Sequence, residues 1–309
     1  VTANGGTRAV PIYQTTSYVF NNSDHAANLF SLQELGFIYT RLNNPTNQIL
    51  QERLAALEGG IGAVVFASGT AAIATGLLTL LKAGDHIVAS SSLYGGTYNL
   101  LSVTLPRFGI TTTFVDASNP DNFADAVQDN TRAFFVESLG NPKLDVLDLE
   151  AIAEHSKAAE VPFIVDNTVA TPALLNPIKH GANIVIHSLT KYIGGQGTSL
   201  GGAIVDAGTF NWANGKFPEF TEPSAGYHGL KYHEALGAAA YTFKLILEGL
   251  RDFGGALSPT NAFNIIQGLE TLPIRIKQHS ENALELAKWL EAQDEVAWVN
   301  YPGLESSKY

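Results

Sequence analysis

The 309-residue sequence contains no cysteine and no methionine. Without cysteine, neither a disulfide framework nor a metal site built from thiolates can form. Methionine is missing even from position 1, where the chain starts at Val1 without the charged and apolar regions of a signal peptide. We therefore expect the natural N-terminus to lie upstream of this sequence.

Basic residues are also few, since 18 Lys and Arg stand against 29 Asp and Glu and give a net charge of −11. This balance argues against nucleic acid or an acidic membrane surface as the main partner. Hydrophobic residues make up 45% and charged residues 15%, as in an ordinary globular enzyme. At this length the chain can bury a large core, and we expect one large domain plus part of another.

One uncharged run, from Ile61 to Leu81, is long enough to be mistaken for a membrane span. It is interrupted by Ser68-Gly69-Thr70, so a strand, a turn and a helix inside a soluble protein fit it better. Similar units follow it along the chain.

Strands and helices alternate over most of the sequence. Short β-branched runs predict strands at 63–67, 86–90, 111–115, 132–137, 162–166, 183–187 and 200–205. This order is typical of an α/β fold with a mostly parallel, doubly wound sheet. Ligands of such sheets bind at the carboxyl ends of the strands. Polar residues fall at those ends here: Ser68 and Gly69, Glu137 and Ser138, Asp166 and Asn167, and Ser188 to Lys191.

Three further features lie outside this alternation. Thr46 is a candidate cap for a helix that ends near Glu58. Residues 206–229 lack periodicity and read as a surface excursion with aromatic residues between turn formers. Helical patterns resume at 232–250, 261–270 and 275–292, and residues 295–300 are predicted to be a strand that opens a new domain.

Lys191 is the first candidate for chemistry. It follows the apolar run 183–187 and the two hydroxyls of Ser188 and Thr190, and it precedes a glycine-rich turn. A lysine in this position suits a Schiff base to an aldehyde cofactor whose phosphate lies beside it. A surface lysine before a loop would give the same local pattern, so the stretch alone leaves both interpretations open.

Three other positions could serve such a cofactor. Asp166 ends an apolar run, where a carboxylate needs a partner such as a protonated ring nitrogen, unless it caps the next loop. The turn Ser68-Gly69-Thr70 could bind an anion through backbone amides, or it could simply cap a helix. Tyr94 follows a strand and could stack on a planar cofactor or take part only in packing.

Other chemistries lack their motifs. Gly60-Ile-Gly62 and Gly195-Gln-Gly197 lack the third glycine of a dinucleotide fingerprint, and Asn214-Gly215-Lys216 lacks the upstream glycine of a P-loop. His228 and His233 are five apart, which misses the helical metal-binding spacing, and no HExxH motif occurs. No serine stands in a G-x-S-x-G elbow. NAD and ATP are therefore less favoured, and a metal site and a hydrolase triad have no support.

Taken together, Ser68-Gly69, Tyr94, Asp166 and Ser188-x-Thr190-Lys191 resemble the Cys/Met-metabolism (trans-sulfuration) family of pyridoxal-phosphate enzymes. The resemblance runs from about Pro11 to the chain end. It implies the aspartate-aminotransferase-like fold, also called fold type I, with a smaller C-terminal α/β domain. Residues 1–45 would form an arm that contacts a neighbouring subunit, residues 46–250 the large cofactor domain, and residues 251–309 the incomplete start of the C-terminal domain.

The resemblance also implies roles for single residues. Lys191 would carry the cofactor, pyridoxal 5'-phosphate (PLP), as a Schiff base and act as acid and base. Asp166 would pair with the pyridine nitrogen, and Tyr94 would stack on the ring as a second catalytic residue. The phosphate would be bound by the backbone amides or hydroxyls of four residues: Gly69, Thr70, Ser188 and Thr190.

Further implications concern the substrate and the assembly. Asn141 would lie near the substrate carboxylate. Tyr39 and Arg41 would reach the phosphate in a neighbouring subunit, which implies at least a dimer and, in this family, a cytoplasmic tetramer. The arginine that grips the substrate's α-carboxylate lies in the family beyond this chain's last residue, and neither Arg251 nor Arg275 matches its motif.

Segments 39–46, 92–99 and 221–229 look most like the members that convert O-acetylhomoserine and sulfide into homocysteine and acetate in methionine biosynthesis. Cystathionine γ-synthase and methionine γ-lyase chemistry share the cofactor residues and stay open, although Gly96 stands where the lyases place a reactive cysteine. A nicotinamide-dependent oxidoreductase and a cofactor-free interaction domain are the alternatives from other classes.

Overall fold

The computed structural model describes residues 6–309, and a seven-stranded sheet forms its centre. In chain order the strands are β1 (Gly62–Phe66), β2 (His86–Ser90), β3 (Thr111–Val115), β4 (Thr131–Glu137), β5 (Phe163–Asp166), β6 (Ile184–His187) and β7 (Gly202–Asp206). Across the sheet they lie in the order β1-β7-β6-β5-β4-β2-β3.

Most of the sheet is parallel. The strand pairs β2–β3, β2–β4, β4–β5 and β5–β6 are parallel, whereas β7 runs antiparallel to both β1 and β6. The predicted mostly parallel, doubly wound sheet is therefore confirmed, and each strand lies within two residues of its predicted bounds. The agreement has a physical basis, because strands buried on both faces need continuous apolar runs.

Two apolar layers cover the two faces of the sheet. The first layer includes Phe134 and Val165, and the second includes Phe135 and Ile164, so neighbouring positions of one strand enter opposite layers. This alternation follows from the two-residue period of a strand. Complete burial of one such side chain stabilises the fold by about 1.5–3 kcal/mol.

Helices flank the sheet. Within residues 6–309 the α-helical segments are α1 (Ser23–Phe30), α2 (Pro45–Glu58), α3 (Gly69–Leu80), α4 (Gly95–Asn99), α5 (Asp121–Asp125), α6 (Leu149–Ala158), α7 (Thr171–Leu174), α8 (Pro218–Thr221), α9 (Tyr232–Leu236), α10 (Ala240–Lys244), α11 (Arg251–Phe253), α12 (Pro259–Leu269) and α13 (Leu272–Glu291). The helix predicted over 232–250 is divided, because the backbone leaves helical geometry at Gly237.

The start of α2 corrects one prediction. Asn44 is the cap, since its side chain accepts the amide of Thr46 at 2.9 Å, and Pro45 supplies the first helical position. Thr46 is buried instead. Its hydroxyl donates to the carbonyl of Pro11 at 2.8 Å and accepts the amide of Tyr13 at 3.0 Å, so it fixes the preceding arm to the helix.

The interpretation of 206–229 as a surface excursion is wrong for three of its aromatic residues. Trp212, Phe217 and Phe220 are buried in the second apolar layer. Trp212 stacks on Phe220 with ring centroids 4.3 Å apart and on Tyr241 at 5.4 Å. Aromatic side chains of an irregular segment carry no periodicity, so the sequence pattern could not indicate their burial.

The predicted strand at 295–300 is also wrong, because the described chain is irregular there and offers it no pairing strand. Trp298 at its centre is 77% exposed. Before it, α12 packs on α2 and contributes Ala262, Ile265 and Ile266 to the first apolar layer. The division into an arm, a large domain and the start of a C-terminal domain stays a prediction.

The arm that precedes α2 pairs with itself. A bridge joins Ser17 and Tyr39, and the amide of Thr40 donates to the carbonyl of Thr16 at 2.8 Å. Val19 on this arm is 97% exposed. Among the helices of residues 6–309, none is long and apolar enough to cross a membrane.

Candidate active site

A cavity of about 690 Å³ opens at the carboxyl ends of β4, β5 and β6. This is the edge of the sheet at which the sequence predicts a ligand. Eight of the ten predicted site residues line the cavity: Gly69, Thr70, Tyr94, Asn141, Asp166, Ser188, Thr190 and Lys191. The structure therefore brings together residues that are up to 122 positions apart in the chain, from Gly69 to Lys191.

One corner of the cavity is formed by the start of α3. Ser68 caps this helix by accepting the amide of Ala71 at 3.1 Å. A Cβ atom on Gly69 would lie 2.7 Å from the Cβ of Ser188, so only glycine allows the helix to approach the loop after β6 so closely. The free amides and the dipole at a helix N-terminus favour an anion. This corner suits a phosphate group beside the Ser188 hydroxyl.

Thr190 supports the same corner from the loop after β6. Its hydroxyl donates to the carbonyl of Gly201 and accepts the amide of Gly201, both at 3.1 Å. The amide of Ser188 in turn donates to the Thr168 hydroxyl at 2.8 Å. The loop that carries Lys191 is thus fixed to two neighbouring segments.

Asp166 lies at the floor of the cavity and is buried. Its Oδ1 accepts the amide of Thr168 at 3.0 Å and the Thr168 hydroxyl at 2.5 Å. Burial raises the pKa of Asp166, although the bonds from Thr168 and the nearby His187 oppose this shift. A buried carboxyl of this kind is suited to a cationic partner, which would restore its ionised form.

The sequence marks Glu137 only as a polar residue at the end of a strand and indicates no function for it. It is buried in the cavity wall, directly across from Asp166 in the β4–β5 register. Burial, followed by the charge of Asp166, raises the pKa of Glu137 to about 8. The sequence alone does not single out this position, because the partner of a strand-end carboxylate depends on the neighbouring strand.

Tyr94 stands at the cavity wall at the start of α4, and its side chain is 51% exposed. A Cβ atom on Gly96 would lie 2.5 Å from the Cε1 atom of this ring. A larger residue at position 96 would therefore clash with the Tyr94 ring, whereas glycine does not. An accessible aromatic ring above a polar floor is suited to stacking on a planar ligand.

Residues of the C-terminal helix α13 fix the segment that follows Lys191. Arg275 of α13 donates from Nη1 to the carbonyl of Tyr192 at 2.8 Å and from Nη2 to the carbonyl of Gly268 at 2.7 Å. Tyr192 and His279 also line the cavity, with ring centroids 5.4 Å apart. Tyr192 reaches the cavity because it directly follows Lys191, whereas no local pattern indicates His279, because α13 reaches the cavity only through tertiary packing.

A buried polar network lies behind the strand ends. His187 Nε2 is 2.6 Å from Glu58 Oε1, and both side chains have no exposed surface. Asn167 donates to Glu58 Oε1 at 3.0 Å and accepts the Ser138 hydroxyl at 2.8 Å. His187 is therefore a core histidine, although its Nδ1 is buried without a hydrogen-bond partner.

Tyr39 and Arg41 do not line this cavity. The Arg41 guanidinium lies 5.5 Å from the centre of the Tyr39 ring and also donates to the carbonyl of Arg251. Their predicted role in the cavity of a neighbouring subunit stays a prediction. Arg251 itself binds Asp252 at 2.7 Å, so its guanidinium is engaged outside the cavity. No group of His, Asp or Glu side chains within residues 6–309 could hold a metal ion.

Comparison with known proteins agrees with this geometry. The family model described as Cys/Met metabolism PLP-dependent enzyme matches residues 2–309. The chain belongs to this family. It is 56% identical to an O-acetyl-L-homoserine sulfhydrylase of Leptospira meyeri, and the match covers 97% of this chain and 70% of that protein. It is 54% identical to a homocysteine synthase of Schizosaccharomyces pombe, with the same coverage.

A solved structure is similarly close. The crystal structure of a putative O-acetylhomoserine (thiol)-lyase from Campylobacter jejuni, which contains N'-pyridoxyl-lysine-5'-monophosphate, superposes with a TM-score of 0.95 at 44% identity. The match covers 97% of this chain and 75% of that one. The fold is therefore fold type I, as the resemblance implied, and the cofactor of the family is PLP.

The residues of the cavity fit this cofactor. The α3 N-terminus with Gly69 suits its phosphate, and the buried Asp166 suits a cationic ring nitrogen. Tyr94 offers a ring, and Lys191 offers an amine in the same cavity. A nicotinamide cofactor has no comparable support.

Proposed function

We propose that the protein is an O-acetylhomoserine sulfhydrylase, which replaces the acetate on Cγ of O-acetylhomoserine with sulfide and releases homocysteine. The observation that carries this proposal is the convergence of Lys191, Asp166 and the N-terminus of α3 on one cavity. Relatives 56% and 54% identical to this chain carry the names O-acetyl-L-homoserine sulfhydrylase and homocysteine synthase.

The residues of the cavity divide the work of holding the cofactor. When bound, PLP supplies an electron sink for the charge that develops on the substrate carbons. Asp166 would keep the ring nitrogen protonated through an ion pair in a nearly dry environment. Tyr94 would cover one face of the ring. The phosphate would be bound by Gly69, Thr70, Ser188 and Thr190, and the Thr190 hydroxyl would turn its proton from the Gly201 carbonyl to the phosphate.

Lys191 would act as the acid and base of the reaction. Its side chain lines the cavity and is exposed to its interior, so its amine can reach a bound amino acid. A neutral amine placed beside the α-carbon can remove a proton there and later return it. Asn141, which also lines the cavity, would orient the substrate carboxylate.

Replacement can be told apart from elimination by the role of sulfide. Purified protein with PLP and O-acetylhomoserine should form homocysteine and acetate when sulfide is present and little 2-oxobutyrate when it is absent. Formation of 2-oxobutyrate at the same rate in both cases would instead identify a γ-lyase. Lys191→Ala should abolish turnover, whereas Lys179→Ala, a change of an exposed lysine remote from the cavity, should leave it intact.

We also infer that the protein acts as a cytoplasmic homo-oligomer, at least a dimer and in its full form a tetramer, in which Tyr39 and Arg41 contact the cofactor phosphate of a neighbouring subunit. The arm that carries them exposes Val19 and Leu35, which are 97% and 73% accessible. Large exposed apolar side chains on one arm favour a protein partner.

A further inference from the structure

We propose that Glu137 is a positioning residue that holds the stacking ring of Tyr94 and the substrate-binding Asn141 in place around the cofactor. The proposal rests on the proposed function, since it assumes that PLP occupies this cavity. It assigns a role to a buried carboxyl that the chemistry described above does not use.

The position of Glu137 in the sheet directs its side chain into the cavity. β4 and β5 are parallel, and Glu137 and Asp166 are Cα partners in their register. Two positions earlier, Phe135 and Ile164 both enter the second apolar layer. Because side chains alternate along a strand, Glu137 and Asp166 leave the sheet on this same face. Both carboxyl groups line the cavity, and Glu137 is only 5% exposed.

The carboxyl of Glu137 joins two loops. Its Oε1 accepts the amide of Tyr94 at 2.6 Å, and its Oε2 accepts the amide of Asn141 at 3.1 Å. Tyr94 precedes α4 and makes no side-chain capping bond of its own. The two oxygens therefore connect the segment that carries the stacking ring with the segment that carries the substrate contact.

The two loops are packed closely enough for one carboxyl to connect them. A Cβ atom on Gly140 would lie 2.6 Å from the Ser92 hydroxyl oxygen and 3.2 Å from its Cβ. The position of one loop thus limits the position of the other. Without the shared acceptor, two buried amides would lose their partner, and each loop would be free to shift toward water.

The neighbouring charges agree with a role tied to the cofactor. Burial and the adjacent Asp166 raise the pKa of Glu137 to about 8. A cation held by Asp166 would offset this repulsion and favour the ionised form, which is the better acceptor for two amides. Lys191 and His279 are the basic side chains on the cavity wall, and a positive charge on either would act in the same direction.

The test uses Glu137→Gln in the full chain, because glutamine keeps the shape but turns one acceptor oxygen into a donor that faces an amide. Loss of one charge-assisted hydrogen bond should weaken PLP binding by about 10-fold to 100-fold. The visible circular dichroism of bound PLP should fall, because the Tyr94 ring is no longer fixed. The thermal midpoint of the protein without PLP should fall only modestly, because the fold also loses part of this hydrogen bonding.

Glu154→Gln, on the exposed face of α6, is the matched control and should change none of these readouts. Unchanged PLP affinity and dichroism in Glu137→Gln would overturn the proposal, even if the protein became less stable. Tighter PLP binding would also overturn it, since Glu137 would then act only by repelling the charge of Asp166. If wild-type protein itself bound no PLP, the proposed function would fail instead.

If Glu137→Gln does not fold, amide hydrogen exchange in the wild type tests whether Glu137 holds the two loops. The amides of Tyr94 and Asn141 should exchange much more slowly than those of Gly95 and Gly96, which helix geometry leaves without an intrahelical acceptor. Equally fast exchange at all four amides would contradict the proposal.

Discussion

Two neighbouring carboxyl groups decide what the cavity can bind. Asp166 and Glu137 are cross-strand partners at the same edge of the sheet, and both are buried. Burial raises the pKa of each, and the charge of Asp166 adds to the shift of Glu137. Two such groups are stable in ionised form only beside a cation. A protonated pyridine nitrogen, which PLP provides, meets this need.

The raised pKa of Glu137 predicts how stability depends on pH. In the unfolded chain the carboxyl titrates near 4.5, whereas in the folded protein its pKa is about 8. Between these values the folded state binds more protons than the unfolded state, so the free energy of unfolding should decrease as pH rises. Urea unfolding of the PLP-free protein at pH 5, 6.5 and 8 measures this slope.

Glu137→Gln should make the slope smaller and leave a residual decrease of the same sign, because burial also raises the pKa of Asp166 and Asp206. Identical slopes in the variant and the wild type would show that Glu137 does not titrate in this range.

The start of α3 carries a second prediction. In Gly69→Ala, the new Cβ would lie 2.7 Å from the Cβ and 2.9 Å from the Cα of Ser188, so the helix and the loop after β6 must separate. Such overpacking costs about 1–3 kcal/mol in unfolding free energy. PLP affinity should fall as well, because the phosphate corner is displaced. Denaturant unfolding and a PLP titration measure the two effects.

Gly95→Ala is the control for this change, since a Cβ atom there meets nothing within 4 Å and the backbone angle is ordinary. It should alter stability by no more than about 0.5 kcal/mol. Equal effects of the two substitutions would mean that close packing at Gly69 is not what shapes the corner.

Much of the sheet and of the candidate site could be predicted from the sequence. The strands buried on both faces are marked by apolar runs such as 86–90, and the site residues stand where these runs end. What could not be predicted depends on contacts between distant segments. Thr46 does not cap α2, because its buried hydroxyl donates a hydrogen bond to the carbonyl of Pro11. Trp212 is buried because it stacks on Tyr241.

Glu137 and His279 illustrate the same limit for the site. The role of Glu137 depends on its register with Asp166 and on two loop amides, none of which is local in sequence. His279 reaches the cavity from α13, more than eighty residues after Lys191. A pattern read along the chain cannot reveal which helix will cover a cavity.

The assembly of whole subunits yields a third prediction. If Arg41 serves the cavity of a neighbouring subunit, each active site combines Lys191 of one subunit with Arg41 of the other. A mixed dimer of the Arg41→Ala and Lys191→Ala variants then has one site in which both residues are intact. Co-expression of the two inactive variants should therefore restore up to about a quarter of wild-type activity, since half of randomly formed dimers carry one intact site of two. Each variant expressed alone is the control and should remain inactive. No recovery in mixtures that do form mixed dimers would place Arg41 in its own subunit's site or outside any site.

The central claim is that Lys191 is the residue to which PLP is joined at the carboxyl edge of the sheet. Borohydride reduction of the protein loaded with PLP, followed by digestion and mass spectrometry, tests it directly. The pyridoxyl group should be found on the peptide that contains Lys191, in close to one copy per chain. A pyridoxyl group on another lysine, or an unmodified Lys191 in protein that has bound PLP, would contradict the account.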